Sequence, residues 1–187
     1  MSMHLVVVGA DDKAFDKFVV HPTSARITRI VNSGKLSLAR IGNDCLARTV
    51  DDVFGLVHAD THYLLGALSV FEDAARMGCV AGIVGVCRFG HYHWCFENPG
   101  AVVTLDSCSV FFRTSSGLRF DEKTFDSFHC HVEDLCVQAA HKCMPVVVPS
   151  ANATHASELP LPKWAAHHQE YMLKLKAKWP NFDVRHT

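Results

Sequence analysis

The stretch SLARIGNDCLARTVDDVFGLVHADTHY, Ser37 to Tyr63, runs through an amphipathic helix, a polar break and an apolar strand. Leu38, Ile41 and Cys45 recur at helical spacing and share one face. Val53 to Val57 follows as a continuous apolar strand and stops at His58-Ala59-Asp60. In α/β sheets, ligands bind where the C-terminal ends of strands meet loops and helix N-termini, so the polar residues closing this strand are the first candidates for a site.

The same alternation extends in both directions. Strand-like runs recur at Leu5 to Val8, Ile27 to Val31, Val80 to Val86, Val102 to Leu105 with Cys108 to Phe112, and Val146 to Val148. Helical faces are formed by Leu64, Leu68, Phe71 and Ala75, ended by Gly78, by Val132, Cys136, Ala139 and Cys143, and by Trp164, Tyr171 and Leu175. Strands alternating with single amphipathic helices predict an α/β fold with a mostly parallel sheet covered on both faces, and no linker divides residues 1–187. The last helix is expected over 163–180. The strand-end residues are then Asp11 and Asp12, Asn32 and Ser33, His58 and Asp60, and His155. Arg88 to Gly100, RFGHYHWCFENPG, is aromatic, histidine-rich and aperiodic, which suits a loop over a pocket, with Trp94 available to stack on a sugar or a base.

Composition narrows the function classes. The 187 residues are 49% hydrophobic and 20% charged, the balance of a globular chain. Eighteen Lys plus Arg against nineteen Asp plus Glu leave a formal charge of −1, so no bulk positive field draws nucleic acid and no bulk nucleic-acid binding is expected. The longest clean apolar stretch, Cys79 to Cys87, falls far short of the roughly 20 residues of a membrane helix. Met1 to Ala10 lacks a basic leader and reads as a first strand. Eight cysteines scattered through apolar runs, none in a CxxC pair, read as reduced packing residues of a cytoplasmic protein.

Several enzyme classes lack their signatures. VVVGADD carries one glycine where a dinucleotide-binding turn needs three, and GxxxxGK[ST], GxSxG and HExxH are all absent. The sets His91, His93, Trp94, Cys95 and Cys136, His141, Cys143 lack the paired spacing of zinc sites.

The Ser37–Tyr63 segment resembles the family-2-like glycosyltransferases of the GT-A fold, in which an A-x-x-N-x-G-x-x-x-A helix precedes a strand ending in D-x-D. Asn43 stands on that helix, and the triplet here is His58-x-Asp60, similar to the L-H-Q-D of the streptomycin-biosynthesis-type branch. Phe120-Asp121-Glu122, Phe125, Glu133-Asp134-Leu135, the VVVP strand and His155 follow in the family's order. Lys178-Trp179 resembles its terminal Y-F-x-x-K-W segment, and Asp106 its D-G-x-x-x-x-x-R-R stretch, with Ser107 in place of the glycine. The usual P-x-V-S-V-I-I-P-x-Y-N opening and the Q-x-x-R-W motif are absent.

The resemblance implies a GT-A-like, Rossmann-related fold and transfer of a sugar from a nucleotide-sugar donor to an acceptor hydroxyl. It implies Asp60 and His155 as ligands of a divalent metal, manganese or magnesium, which would offset charge on the diphosphate leaving group. Asp11, Asn32, Ser33, Asn43, His58, Trp94 and Asp106 are expected to line the donor, with His58 facing the nucleotide rather than the cation. Asp134 is expected as the general base of an inverting displacement, with Glu133 orienting the acceptor. Two readings stand beside this one: a family member that binds a nucleotide or glycan without transfer, and an unrelated nucleotide-binding α/β enzyme such as a dinucleotide-dependent reductase.

Overall fold

The computed structural model describes residues 2–21, 23–156 and 161–182, with the side chains of 161–165 outside the description. Thirteen strands and four α-helices follow in the order β1 (Met3–Gly9), β2 (Val19–Val20), β3 (Arg26–Val31), α1 (Leu38–Leu46), β4 (Val53–His58), β5 (Thr61–Tyr63), α2 (Ala67–Arg76), β6 (Val80–Ala81), β7 (Val84–Val86), β8 (Tyr92–Trp94), β9 (Gly100–Ala101), β10 (Thr104–Leu105), β11 (Ser109–Arg113), α3 (His131–His141), β12 (Val146–Val148), β13 (Ala153–His155) and α4 (Leu161–Lys178). A seven-stranded sheet in the order β3-β1-β4-β11-β6-β12-β9 forms the centre. β1 pairs in parallel with both β3 and β4, and β12 in parallel with β6, while β11 and β9 run antiparallel to their neighbours. Five strands therefore point one way and two the other, a mostly parallel sheet.

Every residue of β1 is buried, and β4 is buried from Val53 to Val57. Continuous rather than alternating apolar runs are what strands covered on both faces require. Ser37 caps α1 by accepting from the Arg40 backbone N–H at 3.1 Å, and the helix then buries Leu38, Ala39, Ile41, Gly42 and Leu46. α2 lays Phe71 parallel to Phe111 of β11, with ring centroids 4.9 Å apart. Gly9 is required for packing: a Cβ there would meet the Ala14 methyl at 2.9 Å. That close pass accounts for the single glycine of VVVGADD without a dinucleotide.

Several boundaries differ from the sequence expectation. Val80–Val86 is two strands in two sheets, because the chain bends at Gly82 against the Ser109 carbonyl, where a Cβ would stand 2.8 Å from that oxygen. Val102–Leu105 is shortened to Thr104–Leu105, which belongs to a small sheet with β7 and β8, while Gly100–Ala101 before it edges the large sheet. The Arg88–Gly100 segment is not an open loop, since Tyr92–Trp94 pairs with Val84–Val86 in a hairpin. Leu64 is 40% exposed and precedes α2, and Cys143 lies exposed beyond α3. α4 carries Tyr171 and Leu175 inward, whereas the side chain of Trp164 falls outside the described residues. All eight cysteines are free thiols. Among the described residues no helix is long and apolar enough to cross a membrane.

Candidate active site

Three side chains from two distant segments converge at the end of β4. His58 is its last residue, Asp60 sits in the turn into β5, and β13 returns antiparallel to β5 with His155 opposite Thr61. The Ala156 N–H donates to the Asp60 carbonyl at 3.0 Å and the Thr61 hydroxyl to the His58 carbonyl at 2.7 Å, so backbone bonds fix the turn from both sides. His155 Nε2 then stands 3.2 Å from Asp60 Oδ1, an ion-pair distance without hydrogen-bond alignment, and the His58 and His155 rings meet edge to face at 5.8 Å.

The electrostatics of this group are coupled. Burial alone would raise the Asp60 carboxyl, but His155 outweighs it and holds the pKa below the usual carboxylate range. Burial alone would lower His155, and Asp60 reverses that and raises it. Burial and the neighbouring His155 lower His58, whose Nε2 is buried with no hydrogen-bond partner. One ligand atom from each of His58, Asp60 and His155 lies within 4.8 Å of the others. A carboxylate with two imidazoles, one nitrogen of which has no other partner, fits a divalent transition ion such as manganese better than calcium. His58, Asp60 and His155 thus share one point at the end of β4.

Asp106 borders this group. It follows β10, accepts from the Cys108 N–H at 2.7 Å, and joins Cys108 and His155 in a second set of donors within 4.8 Å. Trp94 lies half-buried at the end of β8, tilted against Phe96 with centroids 6.2 Å apart, one residue before Cys95, whose thiol donates to the Ala153 carbonyl of β13.

Other expected residues are occupied elsewhere. Asn43 donates from Nδ2 to the Phe120 carbonyl at 2.8 Å and accepts the Phe120 N–H at Oδ1 at 3.1 Å, so its amide clamps α1 to the 120 segment. Asn32 closes its own loop through both amide atoms, to the Leu36 carbonyl at 2.7 Å and from the Leu36 N–H at 3.2 Å. Ser33 is exposed in that loop, and Asp11 accepts from the Ala14 N–H at the start of a short 3-10 turn. These three residues do lie at the C-terminal ends of β1 and β3.

The Glu133–Asp134 pair opens α3, but the two carboxylates point to different surroundings. Asp134 is buried and fully engaged: Oδ1 accepts from Trp179 Nε1 and Lys178 Nζ, both at 2.7 Å, and Oδ2 from Gln138 Nε2 at 2.7 Å. Glu133 does not reach out toward an acceptor. It is 2% exposed and accepts from Ser107 Oγ at 2.9 Å, and burial together with the charge of Asp106 pushes its pKa up to about 8. Lys178, 27% exposed, also contacts Asp121 Oδ2 at 2.8 Å. The segments holding Asp121, Asp134 and Lys178-Trp179 therefore meet at one point.

In fold the chain resembles TarS. Against S. aureus TarS the TM-score is 0.60 at 12% identity, covering 99% of this chain and 41% of TarS. Against TarS 1–349 in complex with UDP-GlcNAc it is 0.60 at 14% identity, covering 99% of this chain and 68% of that one. A197 from STIV aligns with a TM-score of 0.53 at 15% identity over 84% of this chain and 87% of A197. The chain thus spans about two fifths of that TarS chain. No family model matches the sequence, and no curated protein does. The shared fold agrees with the GT-A-like architecture implied by the sequence motifs.

Proposed function

We propose that this chain is a nucleotide-sugar-dependent glycosyltransferase. The observation that carries the reading is the convergence of His58, Asp60 and His155, flanked by Asp106, at the end of β4, in a fold like that of TarS, which was crystallised with UDP and with UDP-GlcNAc. Asp60 and His155, with His58, would hold manganese or magnesium. The chemistry such an ion supplies is neutralisation of charge on the departing diphosphate. Asp106 would meet donor sugar hydroxyls, and Trp94, one residue before the Cys95 that bonds β13, would offer a stacking surface. Ser33 and Asp11, which follow β3 and β1, would line the donor at the C-terminal ends of those strands. The assignment to the streptomycin-biosynthesis-type branch rests on the His58-x-Asp60 triplet.

For the acceptor step the reading keeps an inverting single displacement with Asp134 as base. Asp134 itself is fully buried and its partner Lys178 is 27% exposed, so an acceptor would have to enter past the end of α4. An acceptor hydroxyl would replace the Lys178 or Trp179 donor at Oδ1, and the proton would pass to that oxygen. The complete engagement of Asp134 favours a second reading, a module that binds the donor without transferring it.

The test is a thermal-shift panel of UDP-, GDP- and dTDP-sugars with and without manganese, followed by release of nucleoside diphosphate in the presence of candidate acceptors. Stabilisation by a nucleotide sugar that needs manganese supports the reading. Stabilisation by NAD(P)H and by no nucleotide sugar overturns it in favour of a reductase.

A further inference from the structure

A second donor cluster, which shares no residue with the His58–Asp60–His155 group, includes Cys130 of the satellite core that holds α4. Cys130 stands immediately before α3, and Glu133 lies in the first turn of that helix. His168 reaches them from α4, one turn before Met172, whose sulfur lies 3.6 Å from the Cys130 thiol. Cys130 is fully buried, Glu133 is 2% exposed and His168 7%. A sulfur, an oxygen and a nitrogen from these residues all lie within 4.8 Å of one another.

We propose that Cys130, Glu133 and His168 form a zinc site that ties α4 to the start of α3. This goes beyond the glycosyltransferase reading and uses none of the residues assigned to the donor cation. The donor set is one zinc accepts, and three protein ligands leave one position of a tetrahedron for water. Charge supports the composition: a thiolate and a carboxylate supply two negative charges and a neutral imidazole none, so a divalent ion leaves the enclosed site neutral. Without an ion, burial raises the Cys130 thiol and the Glu133 carboxyl, keeping both protonated at neutral pH. Zinc binding then releases one proton from each to solvent.

Two further features fit. Cys130 holds a left-handed backbone conformation, φ 61°, which a non-glycine residue adopts at a cost and which persists where surroundings fix it. The Ser107 hydroxyl bond to Glu133 Oε2 orients that carboxylate from outside, as ligand-supporting groups do around metals. α4 is otherwise held by a small cluster of Phe125, Cys130, Val137, Tyr171, Met172 and Leu175, separate from the main core. A zinc bridge there would set the position from which α4 presents Lys178 and Trp179 to Asp134.

The experiment uses the full chain carrying Asp60→Ala and His155→Ala, which removes the crevice cation. After chelation and reloading with zinc alone, this protein is expected to retain one zinc per chain and to melt at a higher temperature than when stripped. Adding Cys130→Ser should abolish retention, and His168→Gln should weaken it at least tenfold. Replacing zinc with cobalt should give a thiolate-to-cobalt charge-transfer band that disappears with Cys130→Ser. If Cys130→Ser does not fold, the His168→Gln titration and the cobalt spectrum of the parent decide. Retention no greater than in the His168→Gln variant, or a cobalt spectrum without thiolate ligation, overturns the proposal and leaves an ordinary sulfur-rich core. Zinc retention is independent of donor binding, so manganese-dependent nucleotide-sugar affinity in the wild type stands or falls separately.

Discussion

Lys178 Nζ lies 2.7 Å from Asp134 Oδ1, joining the end of the C-terminal helix to the first turn of α3. The same ammonium reaches Asp121 Oδ2 at 2.8 Å, and the indole of Trp179 donates to the Asp134 oxygen that Lys178 holds. A single cation thus connects three segments distant in the chain, and the geometry of Asp134 depends on where α4 ends.

That dependence makes Asp134→Asn informative. Asn keeps the shape but removes the proton acceptor, so turnover should fall by about 10²–10⁴-fold while donor affinity stays within about threefold. Steady-state rates alongside donor titration measure both. Full activity in a folded Asp134→Asn protein would remove the catalytic assignment. Lys178→Met, by contrast, leaves Asp134 with its Trp179 and Gln138 donors and should cost about 1–3 kcal/mol of stability, because a buried carboxylate loses its charged partner.

Asp60→Ala should eliminate manganese-dependent affinity for a nucleoside diphosphate, and His155→Ala should weaken it less completely. Both proteins should stay folded, since Asp60 occupies a turn fixed by backbone bonds. Calorimetric titration with and without manganese reads this directly, and unchanged metal-dependent affinity in both variants would refute the site.

The Asp60–His155 pair also gives a pH dependence with a definite sign. His155 has a raised pKa, so its protonated form and the ion pair with Asp60 stabilise the fold at pH values below 6.5, and that contribution is lost as pH rises through the raised value. Asp60 has a lowered pKa, so its contribution is present above 3.8 and is lost as pH falls through the lowered value. Cation binding requires His155 to release its proton. Manganese affinity should therefore climb as pH passes through the raised His155 value, and His155→Gln should flatten the climb. A pH-independent affinity in the unaltered protein would count against His155 as a ligand.

Asn43→Ala separates a structural clamp from a donor contact. Losing both bonds to the Phe120 backbone should lower stability by about 1–3 kcal/mol in denaturant unfolding. Donor affinity should not change. A loss of donor affinity without a loss of stability would return Asn43 to the binding surface.

The sequence by itself determined the layered α/β plan, because long apolar runs such as Leu5–Val8 and Val53–Val57 and the helical faces of α1 and α2 encode burial locally. It also marked Asp60 and His155 as strand-end residues. Only the tertiary structure decided that they meet, since β5 and β13 are three-residue strands with no period of their own, and their pairing is a contact between positions far apart in the chain. The same holds for Asn43, whose helical position suits a ligand or a clamp equally until Phe120 is placed beside it. Glu133 and Asp134 are adjacent and chemically alike, yet successive helical residues point about 100° apart. Packing against Ser107 for one and against Lys178 and Trp179 for the other, information that no local pattern carries, gave them different surroundings.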